Sequence, residues 1–126
     1  MGTDMDAAQL RKQIQQCQCE LGDVLRGLKG RRALIRGSVY MLRRKCGKAV
    51  CRCQDGHRHE SWVLSVPDKG RKRLRTVPKG KRASWQEMSE RYRQFRRGRA
   101  RLVKLFAEIL RLVDDMERER TVPPPQ

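Results

Sequence analysis

Apolar residues recur along this chain in two long runs of three- and four-residue spacing, separated by a stretch with a different rhythm. In the first run, Leu10, Ile14, Cys17, Leu21, Leu25 and Leu28 share one side of a helix. Thr3 and Asp6 stand at capping-box spacing before it, and Gly27 and Gly30 end it. The run predicts a helix over about 4–28. The second run is Trp85, Met88, Tyr92, Phe95, Arg99, Leu102, Phe106, Ile109, Val113 and Met116, broken in polarity only by Arg99. Ser84 and Glu87 form a capping box at its start, which predicts a helix over about 84–120 followed by a disordered proline-rich tail, 121–126. Heptad spacing of this regularity means that the helix packs against another helix. Because the second helix outruns the first, part of its seam is expected to lie bare in a monomer. A homodimer or a partner protein at the 85–116 seam would cover it.

Between the two runs the periodicity shortens to strands. Ser38–Lys45, Glu60–Val66 and Arg71–Val77 are alternating or β-branched, and Pro67 to Gly70 make a turn between the last two. The expected fold class is α+β: an antiparallel pair of long helices connected by a small, zinc-stabilised antiparallel β module over about 37–80. The chain's 126 residues suit a single domain, taken as 1–122, in which residues 29–83 form the basic module between the helices.

Composition changes this picture in two ways. Hydrophobic residues make up 37% and charged residues 36%, so the core must be thin and a metal becomes a plausible extra source of stability. The formal net charge is +17, which attracts polyanions. From Arg26 to Lys104 there are 26 Lys or Arg and five acidic residues, whereas Asp114, Asp115, Glu117 and Glu119 reverse the sign at the end of the second helix. A merely solubilising surface has no reason to polarise in this way. The candidate nucleic-acid contacts are Arg43, Arg44, Lys45, Lys48, Arg52, Arg71, Arg73, Arg75, Lys79, Lys81, Arg82, Arg93, Arg96 and Arg97. On a strand, Arg71, Arg73 and Arg75 share a face and Lys72 takes the other. Arginine's planar fork suits phosphate, and with aromatic residues only 5% of the chain and most of them on the seam, backbone contacts to DNA or RNA are expected rather than base reading. Tyr40 and Trp62 are the aromatic residues left outside the seam, as stacking platforms or as core of the sheet.

The densest chemistry lies in "CGKAVCRCQDGHRH", Cys46 to His59. Cys46, Cys51 and Cys53 with His59, or with His57 in its place, supply the four soft or borderline donors that tetrahedral zinc takes. Four protein ligands leave no open position, so such a zinc ion is structural. Cys17 and Cys19 are read differently: two apart on a helix, they face different directions, Cys17 into the seam and Cys19 outward. Five cysteines, unevenly clustered, do not suggest a disulfide framework.

The order Gly37-Ser38, Cys46-Gly47-Lys48, Cys51-Arg52-Cys53, Gly56, His59, "WVLS" at 62–65 and Val77-Pro78 before a long helix resembles a family of small uncharacterised prokaryotic proteins. The resemblance covers about residues 34–112 and implies His59 rather than His57 as the fourth ligand. It also implies a neighbourhood of mobile-element genes, and it brings no activity with it.

No paired carboxylates, phosphate loop or H-E-x-x-H arrangement is present, so no catalytic residue is expected and the chain is not read as an enzyme. The N-terminus lacks a secretory pattern and no apolar run approaches the roughly twenty residues a membrane span needs. The expectation is a cytoplasmic, nucleoid- or RNA-associated nucleic-acid-binding protein with a structural zinc knuckle, an accessory factor of a mobile element or another DNA or RNA transaction. The alternative is a coiled-coil module that binds an acidic partner protein.

Overall fold

The computed structural model describes residues 5–44 and 59–126. Helix α1 (Ala7–Leu28) is followed by strands β1 (Ser38–Arg44), β2 (His59–Asp68) and β3 (Arg71–Thr76), then by helix α2 (Arg82–Arg120). The α+β class with two helices and a small antiparallel sheet is therefore present. The chain divides into two compact units, one of residues 1–31 with 95–126 and one of residues 32–94, and α2 contributes to both. Among the described residues, no helix is long and apolar enough to cross a membrane.

In the helical unit, α1 starts three residues later than its predicted boundary. The N-cap is Asp6, whose Oδ1 accepts from the Gln9 backbone N–H at 2.8 Å while Gln9 Oε1 accepts from the Asp6 N–H at 3.0 Å. This reciprocal box satisfies two of the helix's orphan donors, which the Thr3 pairing would not do at this start. The core consists of Leu10, Cys17, Leu105 and Leu112, with Ile14, Leu21, Val24, Ile109 and Met116 packed around it. The helices run antiparallel: Leu28 lies against Gly98, and Glu20 bridges Arg101 at 2.5 Å.

This core corrects the predicted seam of α2. Leu105 and Leu112 are fully buried, whereas Phe106 is 55% and Val113 47% exposed, and Arg99 is exposed as well. The cause is an ambiguity of the helix repeat. From Leu102 and from Ile109, the next core position lies either three or four residues on, and here both places are apolar, Leu105 beside Phe106 and Leu112 beside Val113. Helix α1 takes the i+3 set. Bare apolar surface therefore runs alongside the α1 contact and is not confined to an overhang.

In the other unit the three strands form a meander, β1-β2-β3. β1 pairs antiparallel with β2 from Ser38 opposite Ser65 to Arg44 opposite His59, and β2 pairs with β3 from Val63 opposite Thr76 to Asp68 opposite Arg71. Lys69 and Gly70 connect β2 to β3 with φ of 50° and 81°, the sign pair of a type I′ turn, whose twist matches that of the strands. Before α2, Gly80 adopts φ 82° and the Lys81 N–H donates to the Pro78 carbonyl at 3.0 Å. The Lys81 carbonyl then accepts from Trp85, so the helix begins at Arg82, two residues ahead of the Ser84 box.

Among the described residues of this unit, Val63, Leu64 and Val77 are the buried apolar ones. The segment entering β1 is clasped to α2 by three hydrogen bonds: the Ile35 N–H donates to the Met88 carbonyl at 3.1 Å, the Ser89 hydroxyl to the Gly37 carbonyl, and the Arg91 guanidinium to the Ala33 carbonyl at 2.6 Å. Ser89 is fully buried for this purpose. Gly37 is required here because a Cβ would stand 2.6 Å from the Ser65 carbonyl oxygen.

Candidate nucleic-acid interface

The predicted cations concentrate in the sheet unit. Residues 32–94 contain eighteen Lys or Arg and five Asp or Glu, against thirteen and nine in the helical unit. β3 is the focus. It lies at the sheet edge, four of its six residues are cationic, and all six are exposed. The register puts Arg71, Arg73 and Arg75 beside Asp68, Val66 and Leu64 on one face, and Lys72 beside Pro67 on the other. None of these four cations forms an ion pair with a described residue. Charge on an edge strand also blocks edge-to-edge pairing, but one lysine suffices for that and β3 carries four cations.

Two concavities flank the strand. The larger, about 710 Å³ and open to solvent, is lined by Arg36, Tyr40, Arg71, Lys72, Tyr92 and Arg93, with Ser38, Ser65 and Gly70 among its smaller walls. Cations around two phenol rings offer phosphate contacts and stacking surface in one groove. The smaller, about 540 Å³, lies at the other end of the sheet between Trp62, Val77, Lys79 and Arg82. There the Arg82 guanidinium sits 4.5 Å from the centre of the Trp62 ring, a cation–π contact that occupies one of its faces.

The remaining candidates divide. Arg43 bridges Glu60 at 3.2 Å directly across the β1–β2 ladder, and Arg44 is exposed at the end of β1. Lys79 and Lys81 are exposed in the turn before α2. Arg93 is half-buried and bonded to Glu90 at 2.7 Å and to the Ser89 hydroxyl at 3.1 Å, so part of its donor capacity is already used. Arg96 and Arg97 are exposed on the stretch of α2 that belongs to the helical unit. Lys45, Lys48, Arg52, Cys46, Cys51 and Cys53 lie outside the described residues, as does the alternative ligand His57. His59 opens β2 opposite Arg44. Among the described residues no group of three or more Cys, His, Asp or Glu is placed to hold a metal.

Cys17 is buried and Cys19 exposed, as their positions on the helix predict. Burial pushes the Cys17 thiol up, and the negative charges of Glu108 and Glu20 add to this against the opposing Arg101 and Arg111. It therefore stays a neutral thiol, a small core residue and a poor nucleophile.

The sequence pattern did not assign Arg36, Lys72 or Tyr92 to the site. Tyr92 falls on the heptad line, while Arg36 meets Tyr92 and Lys72 in the groove only through folding, 56 residues of chain from Tyr92 and 36 from Lys72. The alternation of β3 alone was enough to signal Lys72 as the cation facing away from its neighbours. No protein-family model, no curated protein and no solved structure matches the chain.

Proposed function

We propose that the protein binds nucleic acid through its phosphates, with β3 and the adjoining tyrosine-lined groove as the contact surface. The observation that carries this reading is β3 itself: an edge strand exposed on both faces, with Arg71, Lys72, Arg73 and Arg75 unpaired among the described residues. Several such cations acting together displace several condensed counterions, so affinity falls steeply with salt. Tyr40, 38% exposed, supplies a stacking surface that tolerates any base, which fits a binder of backbone rather than of sequence. Cys46, Cys51, Cys53 and His59 are part of the same proposal as ligands of a structural zinc ion, on the strength of donor type and spacing. β1 and β2 pair up to Arg44 and His59, which holds together the two ends of the segment that carries those cysteines.

The test is a titration of nuclease-treated protein against labelled duplex DNA, single-stranded DNA and RNA over a range of salt, with zinc measured on the same sample. The expected slope of log affinity on log salt is about −4 or steeper, and replacing Arg71, Arg73 and Arg75 together with Gln should flatten it by about 2 to 3. Absence of binding to all three at roughly 100 mM salt overturns the proposal.

A further inference from the structure

The correction to the α2 seam leaves a second apolar line along the helical unit. Val103, Phe106, Leu110 and Val113 are 57%, 55%, 62% and 47% exposed, and they repeat at three-, four- and three-residue spacing. That is the spacing of a coiled-coil seam, parallel to the one already occupied by α1. Ala107, exposed between Phe106 and Leu110, is small enough for another backbone to come close.

The line is bounded by Arg99 one turn before Val103 and by Glu117 one turn after Val113. Both are exposed, and neither makes an ion pair with a described residue. From Arg99 to Glu117 the spacing reads four, three, four, three, four, which is the same in either direction. Turning a second copy end for end therefore superposes the line on itself: Val103 meets Val113, Phe106 meets Leu110, and Arg99 meets Glu117. A parallel copy would set Arg99 against Arg99 and Glu117 against Glu117, two like-charge contacts at the ends of an apolar strip. Charge thus selects both the occupant and its direction.

We propose that this outer face of α2 binds a second copy of the chain, antiparallel and about a two-fold axis at the level of Glu108. Such an axis makes the interface isologous, and it joins two helical units into a four-helix assembly. Neither the zinc segment nor nucleic acid takes part in it.

Sedimentation equilibrium of nuclease-treated full-length protein tests this, with circular dichroism as a check on folding. The expected species has twice the 14.8 kDa chain mass. Phe106→Glu, at a position exposed within the single chain, should weaken association at least about tenfold. Arg99→Glu and Glu117→Arg should each weaken it severalfold, and the double variant should recover it, since the opposite charges then meet again with their places exchanged. A protein that stays monomeric at about 100 µM overturns the proposal. So does a dimer indifferent to Phe106→Glu, and so does a dimer whose affinity ignores the charge exchange, which would place the copies parallel or on another surface.

Discussion

Single side chains decide the local geometry at a few positions, and their roles differ in kind. Gly37 is constrained by space: a methyl group there meets the Ser65 carbonyl at 2.6 Å and the Leu64 and Val66 side chains at 3.0 Å. Two of those three neighbours could rotate away, but the carbonyl belongs to the β2 backbone. Gly37→Ala is therefore expected to destabilise the protein by about 2–3 kcal/mol, read from the midpoint shift in urea. A loss below about 0.5 kcal/mol would mean that β1 moves freely against β2. Lys69 is constrained by conformation, since its φ of 50° is one that a non-glycine side chain adopts at a cost. Cys17 shows a third kind of constraint, in which burial fixes the chemical state of a thiol that the helical spacing already places on the seam.

At the scale of elements, the strands and helices were legible because their periodicities are long and clean. The meander follows from alternation and from a turn signal that narrows to Lys69 and Gly70, since Pro67 and Asp68, expected in the turn, pair with Lys72 and Arg71 as the end of β2. What the pattern left undecided was which apolar line of α2 faces inward, because Leu105-Phe106 and Leu112-Val113 each offer two adjacent apolar residues to a repeat that alternates three and four. Only the partner helix breaks that tie. Leu105→Ala should cost about 3 kcal/mol, as removal of a fully buried leucine does, whereas Phe106→Ala in dilute protein should cost far less despite deleting a larger side chain. Thermal unfolding of the two variants side by side would check this, and a reversed order would restore the Phe106 register. The helix starts were missed by two or three residues for a related reason: cap partners must be seen to be known, and both Thr3-x-x-Asp6 and Ser84-x-x-Glu87 look adequate on paper.

For the whole molecule, composition located the charge better than it located the site. The excess of cations on residues 32–94 is visible in the sequence, and the division of Arg71, Arg73 and Arg75 from Lys72 between the two faces of β3 is visible in its alternation. The groove was not, because Arg36, Arg71 and Tyr92 are brought to it by three separate parts of the chain. Their convergence depends on the clasp between residues 33–37 and α2, whose two side-chain bonds span 52 and 58 residues. A contact of that span has a consequence in time. The hairpins can close over short distances, whereas the clasp, whose direct closure would gather some fifty residues, returns energy only once the sheet has brought its ends near and α2 has formed, so it should form after the folding barrier has been crossed. Ser89→Ala would then quicken the unfolding arm of a stopped-flow chevron and leave the folding arm where it was, while a slowed folding arm would place the clasp in the nucleus. On this account the groove is the last part of its unit to be assembled and the first to come apart.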